Sequence, residues 1–200
     1  STAHAFKNNV DDALRKENLK TAMRRLESTI GPARLAARDR LPEFDELCDR
    51  ARDIKDHTLA NLDLYLERYE SKVRECGGHI HWCSTPEEAQ QVVLGLCRDV
   101  GAKTVTKGKS MIAEEIGLNE FLEANDIVPV ETDLGEYIIQ LAGEPPSHII
   151  APAVHMTKED ISDLFFEKHQ TYDMPRREEP RELVDDARQI LRPKYLAADV

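Results

Sequence analysis

The segment Lys107-Gly108-Lys109-Ser110 places two lysines and a glycine where a serine can begin a helix. A helix that starts at Ser110 would leave backbone N–H groups unpaired in its first turn, where negative charge is favoured. Two ammonium groups at the same place would attract a carboxylate or a phosphate. The segment therefore predicts an anion-binding loop made by Lys107, Gly108, Lys109 and Ser110. The alternative is that both lysines are solvated surface residues.

The same segment ends like a P-loop, the phosphate-binding loop of many nucleotide hydrolases. That motif requires a glycine five residues before Gly108, and Lys103 stands at this position. The mismatch excludes a P-loop nucleotide hydrolase.

Three carboxylates follow further along the chain, at Glu131, Asp133 and Glu136. If their strand neighbours the strand that precedes the lysines, they would face the lysines and could orient a substrate or act as general acid and base. They are therefore candidate catalytic residues. The alternative is an ion-pair network that holds the two loops and performs no chemistry.

His81, His148 and His155 are the relevant histidines among the seven of the chain, and His155 is the best general-base candidate of the three. Its predicted position, just past the carboxyl end of a strand, favours a role in proton transfer. His81 and His148 belong to predicted strands, where a histidine is usually a hydrogen-bonded core or rim residue.

Strand and helix patterns alternate after Gly78, which predicts a parallel sheet with helices on both faces. The predicted strands cover residues 79–83, 103–106, 127–131 and 148–151. Two of the helices that follow strands begin at capping signals, Thr85-Pro86 and Thr157-Lys158. Ligands of such sheets bind at the carboxyl ends of the strands, where the lysines, the carboxylates and His155 stand.

The first 76 residues are predicted to be helical. One helix covers residues 11–30 and ends at Gly31-Pro32, and apolar residues at three- and four-residue spacing predict another over 44–73. A helix as long as the second would cover its own domain or form a docking surface for a partner. We therefore predict a helical region, 1–76, and an α/β domain, 77–200.

Charge and composition exclude several classes of protein. The net charge of −11 opposes nucleic-acid binding, because phosphate contacts need a basic surface. No stretch approaches the roughly 18 apolar residues of a membrane helix, and residues 1–9 lack the apolar segment of a secretory signal, so a cytoplasmic protein is predicted. Cys48, Cys76, Cys83 and Cys97 lack C-x-x-C spacing, which predicts no metal and no cluster in this chain. Four cysteines in a chain of this size also do not predict a disulfide framework.

Several motifs together resemble the lactate-utilisation protein B family, whose members carry a LUD domain. They include Gly77-Gly78-x-Ile80-His81-Trp82, Lys107-Gly108-Lys109-Ser110-Met111, Pro146-Ser147-His148-Ile149 and, most specifically, Glu131-Thr132-Asp133-Leu134-Gly135-Glu136-Tyr137-Ile138. The resemblance extends from about Phe6 to Val200. It implies a fold related to that of CoA transferases and ribose-5-phosphate isomerase, and it adds Thr132 to the expected anion- or substrate-binding residues.

The resemblance also implies partners and cofactors. Members of the family are the iron–sulfur subunit of a bacterial three-protein system that oxidises L-lactate to pyruvate. The expected partners are therefore the other lactate-utilisation subunits and a small carboxylate or phosphate anion, with a homodimer as a further possibility. Members continue past the stretch that matches residue 200 into more LUD sequence and a ferredoxin-like domain. The LUD domain of this chain is thus expected to be incomplete, with 4Fe-4S clusters in the missing part.

Three functions remain open on the sequence alone. The chain contributes anion binding or subunit assembly to a lactate-oxidising electron-transfer protein, or it is an enzyme of the CoA-transferase or isomerase type acting on an anionic metabolite, or it is an assembly module without chemistry. The catalytic carboxylate motif of CoA transferases is not recognisable here, so that activity is not carried over.

Overall fold

The computed structural model describes residues 5–144 and 151–200 of the chain. Its elements are α1 (Phe6–Arg15), α2 (Glu17–Asp39), α3 (Phe44–Ala60), α4 (Leu62–Glu75), α5 (Pro86–Asp99), β1 (Thr104–Lys107), α6 (Met111–Glu115), α7 (Leu118–Glu123), β2 (Val128–Glu131), α8 (Leu134–Ala142), α9 (Lys158–Lys168) and α10 (Pro180–Ala197). The chain divides into two compact units, Leu26–Ser84 and a second one made of Ser1–Arg25 with Thr85–Val200. The predicted division at residue 76 stays a prediction.

Helix boundaries in the N-terminal part differ from the prediction, and the predicted helix over 11–30 is divided at Lys16 between α1 and α2. The predicted single helix over 44–73 is wrong, because α3 ends at Ala60 and α4 begins at Leu62. At the break, the Asn61 side-chain amide donates to the His57 carbonyl oxygen (2.8 Å) and competes with the regular helical ladder. The predicted end at Gly31-Pro32 is also wrong, since α2 contains Pro32. This stretch is exposed, so water can compensate for the backbone hydrogen bond that a proline cannot donate.

The predicted strand over 79–83 is wrong. These residues form no strand, and the Trp82 indole N–H instead donates to the Glu70 carboxylate on α4 (3.1 Å). A strand requires a neighbouring strand to receive its backbone hydrogen bonds, and this segment has none in the described structure. The predicted strand over 148–151 lies outside the described residues except for Ala151, which is not in a strand.

The larger unit is built around a parallel pair of strands, which confirms the predicted α/β class. β1 pairs with β2 in register, from Thr104 opposite Val128 to Lys107 opposite Glu131. Both strands lie within one residue of their predicted bounds. The chain passes from β1 to β2 through α6 and α7.

The last residues of the chain lie along the other edge of β1. The Val200 N–H donates to the Thr104 carbonyl oxygen (3.3 Å), and the Thr106 N–H donates to the Val200 carbonyl oxygen (2.7 Å). This alternation is the ladder of a parallel pair, so Val200 continues the sheet beside Val105. The Asp199 carboxylate accepts from the Lys103 and Thr104 N–H groups (2.8 and 2.9 Å), which hold its pKa below its ordinary value.

Helices cover both faces of this small sheet. Side chains alternate between the faces of a strand, so Val105 and Val130 point in opposite directions. Val105 belongs to a core with α5, α6 and α7, which includes Leu94, Cys97 and Leu122. Val130 belongs to a second core with α8, α9 and α10; its members include Tyr137, Phe165, Leu183 and Leu191. Within the described ranges, no helix has the length and apolar character that crossing a membrane requires.

Candidate functional site

The two predicted loops meet because β1 and β2 end side by side. Lys107 and Glu131 are the last register partners of the pair, so the loops that follow them start together. The Thr132 N–H and hydroxyl both donate to the Lys107 carbonyl oxygen, at 2.8 and 3.0 Å. A Cβ on Gly108 would lie 2.6 Å from the Thr132 Oγ1, so only glycine allows this approach without displacing Thr132.

Lys107 lies in an internal cluster of charges. Its side chain is 10% exposed, with its Nζ 2.6 Å from the Oε1 of Glu131 and in contact with Glu114 on α6. Burial alone would lower the pKa of Lys107, but hydrogen bonds to Glu114 and Glu131 and their charges outweigh burial and raise it. Lys107 is therefore a charged group already held by two carboxylates.

Glu131 has a buried carboxylate oxygen without a hydrogen-bond partner among the described residues. It is 2% exposed, and its Oε1 accepts from the Asn119 side-chain amide (3.2 Å) as well as from Lys107. Its Oε2 and the Asn119 Oδ1 are buried and have no hydrogen-bond partner in the described part of the chain. A donor that reaches both atoms, such as a buried water, would satisfy them. Sequence analysis did not identify Asn119 or Glu114, which α7 and α6 bring to this place.

Lys109 connects the two loops on the outside. Its backbone has a positive φ of 53°, and its N–H donates to the Glu136 carboxylate (2.9 Å), which is buried. Its Nζ lies 2.9 Å from the Asp133 Oδ2 with the lysine side chain 78% exposed. Burial acts to raise the pKa of Asp133, but Lys109 and the N–H groups of Gly135 and Glu136 outweigh it and lower the pKa.

The helices that start in these loops are capped by their own side chains. The Ser110 hydroxyl accepts from the Ala113 N–H at the start of α6 (3.2 Å), as the sequence predicts. The Asp133 carboxylate accepts from the Gly135 N–H at the start of α8 (3.1 Å). Two cations and four carboxylates therefore share this site, and a carboxylate of the chain already occupies the α8 N-terminus.

His155 lies in the segment that precedes α9. Its Nε2 is 2.9 Å from the Glu144 carboxylate, and its side chain is 22% exposed. Pro152 of the same segment lies beside the start of α8, within 3.4 Å of where a Cβ on Gly135 would be. His148, the other histidine of this region, lies outside the described residues.

A buried pair missed by the sequence analysis lies in the second core. The Tyr137 hydroxyl is 2.9 Å from the His169 Nε2, and both residues are at most 3% exposed. Burial raises the pKa of Tyr137 to about 12. Burial also lowers the pKa of His169, where Lys194 adds to this and Asp186 opposes it. Both shifts keep the two side chains neutral, so the Tyr137 hydroxyl can donate a hydrogen bond to the imidazole, which is a structural role.

A groove of about 630 Å³ runs between α10 and the loop after β2. Its lining residues are Thr132, Leu134, Val184, Ala187, Arg188, Leu191, Arg192, Tyr195 and Leu196. The Tyr195 hydroxyl donates to the Thr132 carbonyl oxygen (2.9 Å) and fixes one end of the groove. The groove was not predicted from the sequence, where the four-residue spacing of Arg188 and Arg192 is the signal that could have indicated it.

Among residues 5–144 and 151–200, the side chains that could hold a metal do not converge. Cys97 is buried in the first core, whereas Cys48, Cys76 and Cys83 are exposed. Among the described residues, no three histidines, cysteines or carboxylates are arranged to bind a metal ion. The residues present therefore do not fit an iron–sulfur cluster.

Comparison with known proteins gives one family and a group of relatives. The LUD domain profile matches residues 66–200. Lactate utilization protein B of Macrococcus caseolyticus is 43% identical over 196 residues, and that of Bacillus subtilis is 41% identical over 197 residues. The "uncharacterized electron transport protein YkgF" of Escherichia coli is 36% identical over 195 residues.

Each of these matches covers 98% of this chain and 40% of the relative. The chain thus spans about two fifths of the length of the curated relatives it matches. No solved structure matches the chain.

Proposed function

Because the chain belongs to the LUD domain family, we propose that it serves lactate utilization as part of an electron-transfer protein that oxidises L-lactate to pyruvate. The observation that carries the proposal is identity of about 40% to lactate utilization protein B over nearly the whole chain. The Escherichia coli relative is described as an electron transport protein, which supports the electron-transfer part.

The oxidation of lactate releases two electrons, which need an acceptor. This chain has no dinucleotide-binding fingerprint, and its four cysteines do not form a ligand set. In our proposal, 4Fe-4S clusters bound by residues outside this chain accept the electrons. The LUD part then contributes anion binding or contact with other subunits.

Lys109 is the residue of the loops that is most accessible to an anion. Lys107 is enclosed by two carboxylates, whereas Lys109 is 78% exposed and its ammonium group pairs with Asp133. An incoming carboxylate or phosphate can replace Asp133 there and still meet the N–H groups of the α8 N-terminus. The carboxylates Glu131 and Glu136 then act as supports that hold Lys107 and the Lys109 backbone.

The anion-binding part is tested by calorimetric titration of the chain with lactate, pyruvate and phosphate. We expect Lys109→Ala to weaken binding, and the difference to shrink as salt screens the charge. Lys158→Ala is the matched control, because Lys158 is also exposed but lies at the start of α9. Equal affinities in wild type and Lys109→Ala would contradict the role of the loop.

The cellular role is tested by a chimera. This chain replaces the matching 197 residues of the Bacillus subtilis relative, and growth on L-lactate as carbon source is measured. We expect growth that depends on the chimera and is absent without it. A chimera that accumulates at normal levels but does not support growth would contradict the assignment to lactate utilization.

An assembly role is the second candidate, and the α3–α4 pair favours it. Neither helix has a buried residue, and both expose large apolar side chains such as Ile54 and Leu64. Soluble proteins usually cover such surfaces with a partner. Co-purification of other lactate-utilisation subunits, lost in Ile54→Lys/Leu64→Lys, tests this role.

A further inference from the structure

The groove beside α10 has the form of a preformed ligand site. Its floor is apolar and tightly packed, since Ala187 and Leu191 are 1% and 3% exposed. Val184 and Leu196 mark its ends on α10, which at 1.5 Å per residue are about 18 Å apart. The hydrogen bond from Tyr195 to the Thr132 carbonyl oxygen connects its two walls. Its volume of about 630 Å³ is within the range of small-molecule sites.

The rim of the groove is cationic. Arg188 and Arg192 stand one helical turn apart, so both guanidinium groups lie along the same edge. Arg188 pairs with Asp185 at 3.3 Å, and the side chains of this pair are 75% and 53% exposed. Arg192 has neither an ion pair nor a side-chain hydrogen bond within residues 5–144 and 151–200. In a chain of net charge −11, two such arginines make a local site for an anion.

We propose that this groove binds an anionic amphiphile, that is, a small molecule with an elongated apolar body and a carboxylate or phosphate head. The body lies along Leu134, Val184 and Leu191, and the head is bound by Arg188 and Arg192. Guanidinium groups suit both heads, because they donate paired hydrogen bonds to either one.

The dimensions distinguish this ligand from lactate. A three-carbon hydroxy acid has six non-hydrogen atoms and, at about the 30 Å³ that a water molecule takes up for each, fills at most ~180 Å³. It would leave most of the apolar floor exposed. The inference is therefore independent of the role in lactate utilization.

Fluorescence and calorimetric titrations of the chain test the proposal, with decanoate and decyl phosphate as probes and decanol and decyltrimethylammonium as uncharged and cationic counterparts. We expect both anions to bind at least tenfold more tightly than decanol. Arg188→Gln/Arg192→Gln should remove that preference, and Val184→Trp should prevent binding by filling the groove. Arg181→Gln on the same helix is the matched control and should bind like wild type.

Three results would overturn the inference. Equal affinities for decanoate and decanol would mean that the arginines do not contribute to recognition of an anionic head. Unchanged affinity in Val184→Trp would place the ligand elsewhere. Sedimentation showing a dimer that Val184→Trp dissociates would assign the groove to a second copy of the chain. Circular dichroism and a normal melting transition establish that each variant is folded.

Discussion

Lys107 shows how a residue that the sequence suggests for ligand binding can also hold a structure together. Its ammonium group joins β2 through Glu131 and α6 through Glu114. Removal of one partner of a buried ion pair leaves a charge without compensation, which costs more than the pair contributes.

We expect Lys107→Met to lower the free energy of unfolding by about 3–5 kcal/mol, because Glu131 stays buried without its cation. Urea unfolding measures the change. The double variant Lys107→Met/Glu131→Gln should recover part of the loss. Lys103→Met, at an exposed lysine of the same segment, should change stability by less than about 0.5 kcal/mol. A Lys107→Met protein as stable as wild type would refute the structural role.

His169 predicts a dependence of stability on pH. Burial lowers its pKa from 6.5, and the groups around it are the Tyr137 hydroxyl, Asp186 and Lys194. Below about pH 6.5 the unfolded chain binds a proton that the folded chain resists, so stability falls as the pH decreases. Above that pH His169 is neutral in both states and contributes no slope.

Melting temperatures between pH 5 and 8 test this expectation. His169→Gln should flatten the acid side of the curve, although it also loses packing against Phe165. His79→Gln, at an exposed histidine, should keep the wild-type slope. If the melting temperatures of wild type and His169→Gln fall in parallel as the pH decreases, another group causes the loss of stability in acid.

At the scale of elements, the meeting of the two loops depends on Gly108. A Cβ there would lie 2.6 Å from the Thr132 Oγ1, so Gly108→Ala must displace Thr132 or part the loops. We expect a loss of about 1–3 kcal/mol in urea unfolding, as for other overpacked sites. Gly108→Ala/Thr132→Ala should recover much of it, because the clashing atom is gone.

Gly95→Ala is the control for this substitution. Gly95 lies within α5, and a Cβ there meets no atom within 4 Å. The change should stabilise the chain by about 0.5–1 kcal/mol through helix propensity. Equal changes in the free energy of unfolding for Gly108→Ala and Gly95→Ala would mean that the close approach of Thr132 does not require a glycine at position 108.

The elements that the sequence predicted best are those that local chemistry determines. Thr85 and Thr157 accept from the N–H groups of Glu88 and Asp160 as their capping signals predict, because cap and helix are adjacent in sequence. The segment 79–83 has a strand-like pattern, but a strand depends on a distant neighbour that the pattern does not contain. The division of the long helix at Asn61 depends on one side-chain hydrogen bond.

In the candidate site too, the sequence predicted what local patterns determine and missed what depends on tertiary packing. The register of β1 and β2 brought the lysines and carboxylates together, as the rule for parallel strands leads one to expect. The sequence does not show which carboxylate each lysine contacts, because this depends on how α6 and α7 pack against the sheet. Glu114 and Asn119 therefore could not be identified from the sequence.

At the scale of the whole molecule, the unit Leu26–Ser84 exposes several large apolar side chains. Ile54, Leu59 and Leu64 are each at least 60% exposed. We expect the chain to associate with increasing concentration in sedimentation velocity, and Ile54→Lys/Leu64→Lys to shift it towards the monomer. Leu96→Lys on α5 is the control, since Leu96 is exposed in the other unit. A monomer at every concentration would contradict this.

The pairing of Val200 with β1 has a consequence for synthesis on the ribosome. Thr104 and Thr106 can bond Val200 only after the 93 residues that follow Lys107 have been made. At about 5–20 residues per second, that interval lasts roughly 5–20 s. During it, one edge of β1 has no partner from its own chain, and on a polysome the neighbouring nascent chains offer the same sequence. The rate of translation therefore sets how long this edge of β1 waits for its partner. Slow decoding between residues 108 and 200 lengthens the period in which the edge can pair with another chain.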